Sequence, residues 1–93
     1  VPANYNLTDW EIVVYPAATV SVDVRYDTFP HFPTGADSIT GGLPITTTAA
    51  LSNTGTTGSW GTTALVIGNR IQLAITANDV ATSIAVILIG DKS

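Results

Sequence analysis

From Ala18 to Asp27 the chain alternates residue by residue. Ala18, Val20, Val22, Val24 and Tyr26 fall on one side, and Thr19, Ser21, Asp23, Arg25 and Asp27 on the other. Successive side chains of an extended strand point to opposite faces, so this period of two predicts a strand with one face buried and one wet. The period returns over residues 70–77, where Ile71, Leu73, Ile75 and Ala77 oppose Arg70, Gln72, Ala74 and Thr76. It also appears near the N-terminus, where Trp10, Ile12 and Val14 alternate with Asp9, Glu11 and Val13. No window repeats apolar residues at helical spacing for long enough to form a helix. The pattern predicts an all-β chain, an antiparallel β-sandwich or jelly roll of six to eight short strands. With 93 residues it forms a single domain, 1–93, complete in itself or a module of a longer chain.

The last strand breaks the alternation. Residues 83–89 read Ser-Ile-Ala-Val-Ile-Leu-Ile, apolar on both faces. Ile84, Val86 and Leu88 suit a core; Ala85, Ile87 and Ile89 then need a second cover, either a further layer of the domain or a partner subunit. These three are the candidate subunit interface.

Turn chemistry divides the strands. Gly68-Asn69, between Ala64-Leu65-Val66-Ile67 and the strand at Ile71, predicts a two-residue hairpin. Residues 77–82 offer Asn and Asp oxygens for local turn bonds between the last two strands. Residues 53–59, Asn-Thr-Gly-Thr-Thr-Gly-Ser, read as a flexible polar loop. Residues 28–44 carry Pro30, Pro33 and Pro44 with Gly35, Gly41 and Gly42, so they cannot be a central strand. Phe29, Phe32, Ile39 and Leu43 should pin this long connection onto the sheet as a crossover.

Charge narrows the function classes. Only 11% of residues are charged, against about 25% in ordinary soluble domains. Mean hydropathy is +0.35, yet no stretch reaches the roughly 18 apolar residues of a membrane-spanning helix, and membrane insertion is not expected. The polar surface therefore comes from neutral Thr, Ser, Asn and Gly, and a lone molecule so poor in charge tends to associate. The net charge of −4 offers nothing to neutralise a run of phosphates, so nucleic acid is not an expected partner. Cysteine is absent, which removes disulfides and thiolate ligands. The chain begins at Val1 without a methionine or a visible signal peptide, as a processed chain or a piece of a longer one would.

No catalytic set emerges. His31 is the only histidine, so no histidine-based triad or two-histidine metal site can form; between Pro30 and Phe32 it reads as an exposed loop residue. Asp9 and Glu11 share a strand face about 7 Å apart, a spacing compatible with glycoside hydrolysis, but nothing nearby predicts a cleft or a raised pKa. Asp23, Arg25 and Asp27 read as a surface ion-pair ladder worth about 0–1 kcal/mol, with Arg25 opposing any cation there. The Gly-Thr-Thr-Gly-Ser run lacks the lysine and following helix of a phosphate loop. Trp10 should face the core and Trp60 cap one end of the sandwich; sugar stacking is the alternative for both. No enzyme activity and no cofactor are expected.

Three segments together carry a resemblance. Val22-Asp23-Val24-Arg25-Tyr26-Asp27, then Phe32-Pro33, then Ala36-Asp37-Ser38-Ile39-Thr40-Gly41-Gly42-Leu43-Pro44 resemble the central signature of small β-domains in tailed-bacteriophage virion proteins. Ser59-Trp60-Gly61-Thr62-Thr63, Ile67-Gly68-Asn69-Arg70-Ile71 and the strand from Thr82 follow in the same order, so the likeness spans about residues 10–89. Asn69 stands where the pattern more often has Asp. The resemblance implies a structural or host-attachment part of a tail fibre, tail or head surface, displayed on the phage particle and associated with other virion subunits, often as a homo-oligomer and a trimer first among these. Within it, Phe29, His31, Phe32, Thr34 and Asp37 form a candidate receptor-binding loop for a host surface glycan. A capsid decoration protein without a ligand site, joined through Ala85, Ile87 and Ile89, is the alternative. A free-standing carbohydrate-binding module is a third class, disfavoured by the lack of a row of exposed aromatics.

Overall fold

The first strand sets the architecture. A computed structural model describes residues 1, 3–28 and 31–92, and β1 runs from Tyr5–Asp27, 23 residues. Straight, such a strand would measure roughly 75 Å at ~3.3 Å per residue, yet the molecule extends only 34 Å along its longest axis. β1 must therefore fold back on itself. The bend lies at Tyr15, Pro16 and Ala17, all exposed, where the register against the neighbouring strand jumps between Val13 and Ala18 and the Tyr15-Pro16 peptide is cis. The two N-terminal alternations expected as separate strands are thus one bent strand.

Around it lie β2 (Ile45–Thr56), β3 (Ala64–Leu65), β4 (Arg70–Asn78) and β5 (Ser83–Lys92), with a single 3-10 turn at Gly35–Asp37. Every strand pairs antiparallel with β1. β2 follows one edge through the bend and β3 continues that edge at Tyr5 and Asn6. The other edge is shared: β5 pairs with Tyr5 to Tyr15, and β4 with Val20 to Asp27. The described residues are all-β and form one five-stranded sheet, fewer strands than the six to eight expected, because two merged.

Both halves of β1 feed one core. Leu7, Trp10, Ile12 and Val14 meet Ala18, Val20, Val22 and Val24 there, with Ile39, Ile45, Trp60 and Leu65. The step from odd Leu7 to even Trp10 follows a register shift between Leu7 and Asp9; an extra residue at a bulge turns every later side chain to the other face. β2 bends beside β1 with its own irregularity, and Ala49 there takes a φ of 46°, a left-handed conformation that costs a non-glycine residue about 1–2 kcal/mol.

Three local expectations are corrected. Gly68 does turn the chain, at φ 85°, and Asn69 N–H donates to the Val66 carbonyl. The flanking strands, however, pair with β1 and not with each other, so no hairpin forms. Residues 53–56 are not a loop but the end of β2, paired with Asp9 to Ile12. In the long crossover Ile39 is buried as expected, but Phe32 and Leu43 are 66% and 54% exposed. The buried apolar anchor beside Ile39 is Pro33, and Phe29 lies outside the described residues.

Candidate functional site

The crossover is held by a polar hub at Asp23. Its Oδ1 accepts from Ser38 Oγ at 2.6 Å and Thr40 Oγ1 at 3.1 Å, while Oδ2 accepts from Arg25 Nε at 3.2 Å. Arg25 also donates from Nη1 to Gln72 on β4, and Ile39 N–H donates to the Val24 carbonyl. Burial alone would raise the Asp23 pKa. The hydrogen bonds from Ser38, Arg25 and Thr40, with the nearby guanidinium charge, outweigh it and hold the carboxyl below its ordinary value of 3.8. The expected ladder is therefore only half formed. Asp27 turns away to accept from Thr28 N–H, and Asp23 ties the crossover to the sheet.

Beyond the hub, Thr40, Gly41, Gly42 and Leu43 make a tight turn, closed by Leu43 N–H to the Thr40 carbonyl at 3.1 Å. Gly41 and Gly42 have φ of 64° and 81°, which few other residues tolerate. A side chain at Gly41 would also sit 3.1 Å from the Ser59 carbonyl oxygen. That close approach docks the turn on the 57–60 turn, whose Trp60 N–H donates to the Thr57 carbonyl, and Gly61 N–H donates to the Ile39 carbonyl. Thr57, 2% exposed, anchors the second turn to β1 by donating its hydroxyl to the Leu7 carbonyl at 2.7 Å.

These two turns and β1 bring the tryptophans together. Trp10 and Trp60 line one pocket of about 340 Å³ with Leu43, Pro44, Thr46, Thr56 and Ser59. The Trp10 ring covers Gly55 so closely that a Cβ there would collide with it. Trp10 is a core residue as expected, and Trp60, expected to cap one end of the sandwich, belongs to the core as well. Their convergence was not legible from spacing. The sign that spacing lacked is structural: Gly55 lies inside a paired strand, a position that marks close approach by another group.

The candidate loop is placed plainly. His31 and Phe32 are exposed, with His31 Nδ1 3.2 Å from the Thr28 hydroxyl. Asp37 reaches back to accept from Thr34 N–H at 2.8 Å, closing the 3-10 turn. His31, Phe32 and Thr34 thus stand on an exposed segment, and the Asp37 carboxylate is engaged within it.

On the outer face, Ala85, Ile87 and Ile89 are exposed, the isoleucines by 45% and 46%, while Ile84, Val86 and Leu88 pack against the core. Across the ladder Ala85, Ile87 and Ile89 lie opposite Val13, Glu11 and Asp9. On the other side of β1 stand Ser52, Thr54 and Thr56. On β4, Leu73 and Ile75 pair with core residues Val24 and Val22 yet remain 43% and 56% exposed, because β4 is an edge strand with nothing beyond it among the described residues. An apolar cleft of about 390 Å³ opens nearby between Ile71 and Leu88, floored by Leu7 and Leu65. Asp9 and Glu11 sit on the open outer face beside Thr and Ile side chains, not in a cleft. Among the described residues no three His, Asp or Glu side chains gather as metal ligands would.

Compared with family models, curated proteins and solved structures, the chain finds no match.

Proposed function

We propose that this chain is a structural module of a bacteriophage virion, displayed on the particle surface, and that it works by packing against further copies of itself and neighbouring virion subunits. In this reading the folded-over sheet acts as a small β-sandwich, with the two halves of β1 as its layers. The observation that carries the proposal is the uncovered column of Ala85, Ile87 and Ile89 on the outer face of β5, in a chain with only 11% charged residues. A monomer gains nothing from an apolar column with no layer over it, whereas a partner subunit gains by covering it. The sequence resemblance supports the virion and, among oligomers, the trimer.

Host attachment is the second reading, favoured by the exposed His31 and Phe32 on the crossover. The two readings are compatible, since one uses the face of β5 and the other the loop.

Antibodies raised against the chain test the virion assignment directly. Gold label on intact phage particles from the source culture is the expected result. Label confined to the particle-free fraction contradicts it.

A further inference from the structure

We propose that the pocket between Trp10 and Trp60 is a binding site for a neutral saccharide of one or two rings, held edge-on by the two indole N–H groups. This inference stands apart from the virion reading, because it uses neither the β5 face nor the exposed loop. Each tryptophan is 8% exposed, so more than nine-tenths of each side chain is buried. Neither indole N–H has an acceptor among the described residues. Yet no fully buried side-chain nitrogen among the described residues is left unpartnered, so both N–H edges reach solvent. Both rings line the pocket, and it is the opening we assign to these two otherwise buried donors.

The rest of the lining defines the ligand. Leu43 and Pro44 supply an apolar wall, Thr46, Thr56 and Ser59 supply hydroxyls, and no charged side chain contributes. None of those three hydroxyls is spent on a bond among the described residues, and a hydroxyl can both donate and accept. An uncharged site with fixed donors, adaptable hydroxyls and one apolar wall matches a sugar ring, which carries hydroxyls around its rim and a C–H face. Ionic ligands find no counter-charge here. At about 340 Å³ the space lies at the small end of ligand pockets, roughly 300–1,000 Å³, so a ring or two fills it. With each tryptophan more than nine-tenths buried, the mode we assign is hydrogen bonding at the ring edge and not face stacking.

The chain has only these two tryptophans, so fluorescence of the intact protein, excited at the red edge where its three tyrosines do not absorb, reports the site alone. Titrations with D-glucose, D-galactose, D-mannose and N-acetyl-D-glucosamine should give a saturating change with at least one sugar, and glycerol should give none that saturates. The variant carrying Thr46→Val and Thr56→Val keeps strand-favouring side chains of the same shape. It should retain the parent's circular dichroism and unliganded emission and bind that sugar about tenfold more weakly. A response to every sugar that stays linear like glycerol's, or a saturating response unchanged in the double variant, overturns the proposal.

Discussion

Asp23 shows how one side chain can fix a connection of this length. Three donors from three places in the sequence, Arg25, Ser38 and Thr40, converge on its two oxygens. Its side chain is 15% exposed, so these bonds are partly shielded from water, and charge-assisted bonds of this kind contribute about 1.5–3 kcal/mol each when lost. Its folded-state pKa lies below the ordinary 3.8. The unfolded chain therefore binds the proton first as pH falls, and the contribution of Asp23 is fully present above about 4 and lost as pH drops through the folded value. Asp23→Asn keeps the shape but turns an N–H₂ toward a donor partner and removes the charge facing Arg25. We expect it to lower stability by about 1–2 kcal/mol at neutral pH and to flatten the acid limb of the thermal melting curve below pH ~4. Parallel acid limbs for the two proteins would remove Asp23 from the account. Sequence alone read Asp23 as one rung of a surface ladder, because the partners that matter, Ser38 and Thr40, are brought in by the crossover and not by strand spacing.

At the scale of elements, strands with a polarity contrast between their faces, or apolar on both, were legible, and those neutral and polar on both faces were not. The alternations at 18–27 and 70–77 and the apolar run at 83–89 all became strand. β2 was not read as a strand, and its end at 53–56 was read as a loop, because Thr, Asn and Gly on both faces there leave no period to read, although those four residues pair with β1. Likewise Gly68 carries sound turn chemistry, but turn chemistry does not say which strand the chain pairs with next. The Trp10–Gly55 contact is the test of β2 as a packed strand. A methyl group at Gly55 meets the indole itself, so Gly55→Ala should cost about 1–3 kcal/mol through overpacking, read as a lower denaturant midpoint. Gly58→Ala, where the nearest neighbour is the end of Thr56 at 3.9 Å, should be close to neutral. Equal effects of the two substitutions would mean that the ring does not lie on the strand.

The whole molecule is ordinary in size of surface and unusual in its kind. Its accessible area of 5150 Å² is close to the roughly 5,100 Å² expected for a folded monomer of this mass, so its exposed apolar residues do not come from a loosened fold. Some stand singly in turns and loops, such as Phe32, Leu43, Ile67 and Val80, but Ile87 and Ile89 share the uncovered outer face and Leu73 and Ile75 share an edge strand. Fully burying an aliphatic side chain is worth about 1.5–3 kcal/mol, so covering the exposed half of each isoleucine contributes roughly 1 kcal/mol. Any closed symmetry repeats that gain in every subunit. The apolar excess of β5 was plain in the sequence. That no layer of the described chain covers it became visible only once the other strands were seen to line up along β1.

The central claim is that the outer face of β5 joins subunits, and sedimentation equilibrium over a range of concentrations measures it most directly. Wild-type protein should show a mass that rises above 9.6 kDa with concentration. Ile87→Asp should stay at the single-chain mass while keeping the same circular dichroism. A wild-type protein that remains a single chain at the highest concentration, or an Ile87→Asp variant that associates equally well, would contradict the account.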